Sequence, residues 1–338
     1  MISEQFKRRV LPAGLCLALA ALASPAARAE DTTLAMPGQT VALLVRYIAD
    51  DQRLWSKEGL NVRILDIAGV GSMNALIAGS VDFSLGSGPG ITRASAKGQK
   101  LVVLLTAESQ FGVSIVVRKD IAEAAHFDPN APIATRGKIL KGRRIGGAGV
   151  GGIPDIVLKV IAKDAGLDPG ADVVTTPMQS AELMMAFTAK KIDGFTNGPP
   201  FPEQVVSDGT GVMVIDARKG EPTEFTPVAA ELLLTRADFC AGHKSVCEKM
   251  VHGLYEATQI IRNDPQTSLA VIKAHFGTYD EKVRRAAYET VKAITVDKPI
   301  TTVEALENAD KMNIAAGFLK PEDKLPDYTP LIDNSYVK

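Results

Sequence analysis

The chain holds 338 residues, 46% of them hydrophobic and 23% charged, with a formal net charge of −1 at pH 7. That length is enough for two domains, each with its own core. A near-neutral balance without basic runs argues against nucleic acid or an anionic membrane as partner. Beyond the N-terminal segment, no stretch approaches the roughly eighteen uninterrupted apolar residues of a membrane-spanning helix.

Residues 1–29 read as a cleavable secretory signal peptide. Lys7, Arg8 and Arg9 are its basic start, Val10 to Leu22 its short apolar run, and Ala27-Arg28-Ala29 its small-x-small cleavage site. Cys16 lies inside the apolar run without the small residues that a lipoprotein signal places before its cysteine. Cleavage is expected after Ala29. It removes four basic residues and Glu4, which takes the formal charge from −1 to about −4.

In chain order, Thr40 to Val45 (TVALLV) reads as a strand that ends in Arg46-Tyr47, where a helix begins and runs to about Lys57. Gly59 is its left-handed cap. Val62 to Leu104 then reads strand, loop (AGVGS), helix, strand (VDFSLGS), helix, Gly98, strand. Displaced by 111 positions, the order recurs: Val62 falls on Val173, Ala75 on Ala186, Ala78 on Ala189, Asp82 on Asp193, Pro89 on Pro200 and Gly98 on Gly209. An echoed strand-helix-strand unit with right-handed crossovers implies two similar open, mainly parallel sheets. Two such lobes facing each other make a clamp. Ser109 to Val117 is a further strand leaving the first lobe, and the crossing is expected between Arg118 and Lys141. Glu231 to Thr235 is the return strand. Helices follow over Val246–Arg262, Pro265–Phe276, Asp280–Ile294 and Val303–Gly317, and the last twenty residues form an arm around the body. The segments are thus 30–120 (first lobe), 121–230 (second lobe) and 231–338 (return and C-terminal helices).

Gly147-Ala148-Gly149-Val150-Gly151-Gly152 satisfies GxGxxG between a strand and a helix. Three readings fit it: a dinucleotide pyrophosphate site, a site for any small oxyanion on free helix-start amides, or a tight turn. The following strand ends at Pro177-Met178 rather than at a ribose-holding acid, which counts against the dinucleotide. Gly69-Val70-Gly71-Ser72 is read as the equivalent loop of the first lobe, with Ser72 as helix cap or its neighbouring amides as ligand contacts. Ser87-Gly88 and Asn197 follow strand ends, where open α/β sheets bind ligands. Arg46 and Tyr47 are candidates of the same kind, Arg46 for a carboxylate or sulfonate and Tyr47 for stacking. Gln179-Ser180 and Ser109-Gln110-Phe111 are weaker ones.

No catalytic constellation is legible. The four histidines make no paired-ligand spacing, no GxSxG elbow occurs, and no cofactor or metal is expected. Asp82 and Asp193, twins in the repeat, suggest a structural role such as accepting bonds from backbone amides. Cys240 and Cys247 are the only cysteines after the signal segment. In an oxidising compartment they can close a disulfide; the other reading is two free thiols beside a turn.

Taken together, LWSKEGLNVRI, GSMNALIAGSVDFSLG, LKGRRIGG, GGIPDIVLKVIAKDAGL and KKIDGFTNGPPF resemble the substrate-binding proteins of ABC importers. The nearest likeness is to the sulfonate, taurine and nitrate binders and the thiamine-pyrimidine-precursor binders, from about residue 38 into the C-terminal helices. The resemblance implies a type II periplasmic binding fold with a two-crossing hinge. It implies a monomeric periplasmic receptor, not an enzyme, that carries a small molecule to a membrane permease and its ATPase. The ligand loops it implies are Arg46-Tyr47, Gly69 to Ser72, Ser87-Gly88, Gly149 to Gly152 and Asn197. Gly151-Gly152 stand where many sulfonate and taurine binders carry Ser or Thr, which leaves oxyanion binding there to amides and makes room for a bulkier ligand. The competing class is a cofactor- or nucleotide-binding enzyme using the Gly147–Gly152 loop; a third is a receptor for a membrane sensor.

Overall fold

The computed structural model describes residues 29–147 and 149–338; the expected signal peptide up to Arg28, and Ala148 of the glycine loop, lie outside the described residues. Ten strands are described: β1 (Glu30–Met36), β2 (Leu60–Asp66), β3 (Phe83–Gly86), β4 (Leu101–Thr106), β5 (Ser114–Arg118), β6 (Arg143–Gly147), β7 (Val173–Pro177), β8 (Gly194–Asn197), β9 (Gly211–Ile215) and β10 (Leu232–Arg236). They form two five-stranded sheets, ordered β2-β1-β3-β10-β4 and β7-β6-β8-β5-β9. In the first, β1, β2 and β3 are parallel and β10 lies antiparallel between β3 and β4. In the second, β6, β7 and β8 are parallel and β5 takes the antiparallel place. Each sheet therefore receives one strand from the chain's passage between lobes.

The repeat holds to the residue. Thr32 faces Val62 in one sheet and Arg143 faces Val173 in the other. Leu34 faces Phe83, and Ile145 faces Gly194. The antiparallel insertions meet Gly86 and Asn197, again 111 residues apart. Two mainly parallel α/β lobes are as expected.

Three local expectations are corrected. TVALLV is not a strand: Val41–Leu43 is a 3-10 turn that runs into the helix Leu44–Asp51, and the first strand is Glu30–Met36. Its apolar residues other than the half-buried Ala42 are buried, and a run buried nearly all round lacks the periodicity that tells helix from strand. The strand expected over Ser109–Val117 begins only at Ser114 and pairs in the second sheet, so residues 114–120 belong with that lobe rather than with 30–120. The crossing lies earlier because residues 107–109 pair with 228–231: Ala107 N–H donates to Glu231 O, Ala230 N–H to Glu108 O, and Val228 N–H to Ser109 O. These two neighbouring crossings are the hinge. The stretch from Arg118 to Lys141 instead holds the helices Lys119–Ala124 and Ile133–Gly137.

The C-terminal helices Lys244–Asn263, Pro265–His275, Glu281–Ile294 and Val303–Ala316 fall where read from the sequence. The last of them serves both lobes. Its Ala305 and Leu306 pack with Leu76, Ile91 and Leu232 of the first, while Ala309, Met312 and Ala316 pack with Ile156, Val160 and Ile215 of the second. The tail returns to the first lobe, where Tyr328 OH donates to the buried Asp310 at 2.6 Å and Asp333 N–H to Val103 O. Cys240 and Cys247 form a disulfide between the short helix Phe239–Gly242 and the helix that follows.

Candidate functional site

The carboxyl ends of the parallel strands in the two sheets confront each other. Val41 N–H, just beyond β1, donates to Pro199 O beyond β8 at 2.9 Å. A Cβ on Gly198 would meet Ala42 at 3.5 Å and Thr40 Oγ at 3.6 Å. Arg93, in the helix Gly88–Ala96, donates to Gly151 O in the glycine loop at 2.7 Å. Open α/β sheets bind ligands outside these strand ends. A small void of about 20 Å³ lies by the glycine loop, lined by Gly147, Val150, Asp155, Thr176 and Thr196. That is room for about one water.

The glycine loop joins β6 to the helix Ile153–Asp164, with Gly152 in the cap position and Pro154 in its first turn. Its counterpart in the first lobe follows β1, at residues 36–40, not Gly69–Ser72; the repeat places Gly69–Ser72 opposite the start of the helix Ser180–Thr188. Two of the loop amides are already engaged. Gly151 N–H donates to Asp155 Oδ2 at 2.8 Å, and Gly152 N–H to Gly149 O at 3.1 Å. Asp155 is buried and paired with Lys159 at 3.1 Å. The amides left for an anion are those of the first helical turn, which no helix satisfies internally.

Of the other candidates, Ser87 holds the cap position of the Gly88–Ala96 helix in extended conformation with no side-chain cap bond, half-buried. Asn197 is buried; its Nδ2 donates to Ser180 Oγ at 3.1 Å and its Oδ1 accepts from Gly198 N–H at 2.9 Å, so it ties the end of β8 to the first residue of the preceding helix, Ser180–Thr188. Gly88 faces the hinge: its N–H donates to Ala229 O at 2.7 Å, and a Cβ would lie 2.7 Å from both that oxygen and Ala309 Cβ. Ser72 is buried and donates to Gly69 O at 3.0 Å, which makes it a brace of its own loop rather than a cap; the helix starts at Gly71. Gly69 has a positive φ of 58° and donates to Pro37 O.

Arg46 and Tyr47 are not at a strand end. Both are buried in the helix Leu44–Asp51, where Arg46 lies 4.0 Å over the Tyr47 ring and Tyr47 packs against His275 and Phe276. Because TVALLV is helical, the two residues lie in the first turn of Leu44–Asp51, and Tyr47 belongs to the first lobe's core.

Sequence reasoning passed over Arg93, Asp155, Thr40 and two glutamates. Glu108 and Glu231 stand on the paired hinge crossings, both buried, and Glu231 Oε1 has no hydrogen-bond partner among the described residues. Burial pushes both carboxyls well above the ordinary range, and the charge of Glu108 raises Glu231 further. A lone Glu in LLTAES or AAELLL carries no local signature of this.

A clamp of two α/β lobes with facing strand ends and a double-crossing hinge defines the periplasmic binding protein fold. The NMT1-like family model matches residues 29–274, and the chain belongs to that family. The alkanesulfonate-binding protein SsuA from Xanthomonas axonopodis pv. citri, solved bound to MOPS, is similar with a TM-score of 0.68 at 17% identity, over 89% of this chain and 97% of that one. The nitrate-binding protein NrtA from Synechocystis PCC 6803 is similar with a TM-score of 0.66 at 15% identity, over 87% and 84%. In sequence, the bicarbonate-binding protein CmpA of Synechococcus sp. is 31% identical over 94 residues, 28% of this chain; the match spans 20% of that relative's length.

Proposed function

We propose that the protein is a periplasmic receptor that binds a small organic anion between its lobes and delivers it, by hinge closure, to an ABC import permease and its ATPase. The observation that carries this reading is the pair of five-stranded lobes joined by two adjacent crossings, with the segments beyond β1 and β8 in direct contact across the lobes. Ligand held by one lobe gains contacts from the other on closure, and the difference in affinity between open and closed states drives the shift. The binding proteins for sulfonate, nitrate and bicarbonate to which the chain is similar support the class. First-turn amides of the Ile153–Asp164 helix, Ser87, and the Asn197–Ser180 pair are the anion's partners in this reading, and no covalent step is required. The signal peptide gives the route to the periplasm, and the protein acts as a monomer. An enzyme using Gly147–Gly152 for a nucleotide is disfavoured, because the Gly151 and Gly152 amides that would cradle a pyrophosphate are already taken by Asp155 and Gly149.

A thermal-shift screen of refolded, ligand-free protein tests this. The panel holds alkyl sulfonates, taurine, nitrate, bicarbonate, aliphatic and aromatic carboxylates, pyrimidines and NAD. A ligand at a hundred times its Kd stabilises by about 2.7 kcal/mol, a shift of several degrees. Stabilisation by one anion class is the expected result; stabilisation by NAD alone would overturn the receptor reading.

A further inference from the structure

Gly151 is held from both lobes. Its N–H is taken by Asp155 of its own lobe at 2.8 Å, and its C=O by Arg93 of the other at 2.7 Å. The guanidinium is itself fixed on the first-lobe side: Arg93 Nη1 donates to Asn313 Oδ1 at 2.7 Å, and Asn313 Nδ2 donates to Pro89 O and Thr92 Oγ at 3.0 Å each. Phe318, just beyond the helix that serves both lobes, lies between cations of the two. Arg93 Cζ is 5.3 Å from its ring centre and Lys159 Nζ 4.1 Å. Gly151 has a φ of 80°, and a Cβ there would meet Arg93 at 3.7 Å and Phe318 at 3.8 Å. A backbone shape that L residues rarely adopt is thus set against a side chain from the opposite lobe.

From this geometry we infer that Arg93 is a positioning residue that couples lobe closure to the shape of the glycine loop. With the lobes together, Arg93 and Asp155 grip the two sides of Gly151 and present the first-turn amides of the following helix in one arrangement. With the lobes apart, Arg93 loses its acceptor and the loop keeps only the Asp155 bond. Two directional charge-assisted bonds fixed by a buried asparagine make a discrete contact rather than a diffuse attraction. Burial pulls the Arg93 guanidinium down, while the charges of Asp155 and Asp310 oppose that, so the cation stays compensated where it sits. The consequence for affinity rests on the receptor reading. The coupling itself does not, and it is measured on free protein.

The test uses the full mature chain without ligand, as wild type, Arg93→Gln, Arg93→Lys and Asp155→Asn. Small-angle scattering reads the separation of the lobes, and NMR hydrogen exchange reads the Gly151 and Gly152 amides. Arg93→Gln is expected to enlarge the radius of gyration and to speed exchange at Gly151 and Gly152 by roughly tenfold, with strands β6 and β8 unchanged. Arg93→Lys, which keeps a point charge but not the fork, restores part of both. Asp155→Asn is expected to speed exchange at Gly151 with scattering unchanged, which separates the loop's own grip from closure. Scattering identical in wild type and Arg93→Gln, or an opened Arg93→Gln with unchanged Gly151 and Gly152 exchange, would overturn the proposal. Stabilisation by NAD alone in the ligand panel would overturn the receptor reading and leave this result standing.

Discussion

Asp82 and Asp193, 111 residues apart, do the same work in the two lobes. Asp82 Oδ2 accepts the Thr33 amide on β1 at 2.9 Å, and Asp193 Oδ2 accepts the Arg144 amide on β6 at 2.9 Å. Thr33 and Arg144 are themselves 111 apart. The backbone of each aspartate also meets the antiparallel insertion: Asp82 O accepts from Thr235 Oγ and Asp193 O from Arg118 N–H. Each carboxylate therefore pins the start of a central parallel strand to its neighbour and sets where the opposite strand ends reach.

Removing either carboxylate leaves a strand amide short of its acceptor. Asp82→Ala and Asp193→Ala are each expected to cost roughly 1–3 kcal/mol, seen as a lower midpoint in urea with an unchanged slope. Asp193 adds an acid limb. Burial raises its carboxyl, but bonds from the Arg144 amide and guanidinium and the charges of Arg144 and Arg118 outweigh it and hold the pKa below the ordinary 3.8. A depressed carboxylate stabilises above its unfolded pKa and loses that contribution as pH falls through the folded value. The wild type should therefore lose stability below about pH 3.8 more steeply than Asp193→Ala. Parallel acid limbs would show that Asp193 is not linked in this way.

The hinge glutamates have the opposite sign. Glu108 and Glu231 are raised by burial, so between the ordinary value of 4.5 and their folded values the native state holds protons that the unfolded chain has released. Stability then falls as pH rises through that window. Thermal melts of wild type and of Glu108→Gln/Glu231→Gln from pH 5 to 8 give the check. The wild type is expected to lose melting temperature relative to the double variant as the pH rises across the range. Equal slopes would refute the linkage.

Much of this architecture was legible because the chain repeats itself. Val62 on Val173 and Asp82 on Asp193 located β2, β7, β3 and β8 along the chain. β1 was not legible, since EDTTLAM opens with four polar residues and shows no apolar alternation. TVALLV misled because a segment buried nearly all round has no amphipathic period. The loops at the strand ends were found through their glycines, whereas what holds them was not. Arg93 sits 58 residues from Gly151 and 220 from Asn313, and nothing in GPGITRASA announces either contact.

The disulfide gives a separate test of stability. Cys240 and Cys247 are separated by 7 residues and buried against the Lys244–Asn263 helix, which packs on the first lobe. Closing so short a loop is worth about 2.5 kcal/mol by chain entropy, and its reduction should lower the melting temperature by roughly 5–10 °C. Melts with and without dithiothreitol, compared with Cys240→Ser/Cys247→Ser, measure it. A reduced protein that melts with the oxidised one would show that the bond adds nothing.

Two serines in similar loops separate binding from bracing. Ser72 is buried and bonded to Gly69 O, while Ser87 stands half-exposed at a helix start that faces the second lobe. Ser72→Ala should lower stability by roughly 1 kcal/mol and leave affinity for the stabilising anion unchanged. Ser87→Ala should leave the melting temperature of the free protein within about 1 °C and weaken that anion by roughly tenfold or more, since bonds to charged groups exceed neutral ones in strength. Calorimetric titration of both variants decides it. If Ser87→Ala binds as tightly as wild type, the anion does not reach the carboxyl end of β3, and the contacts must come from the second lobe's helix start.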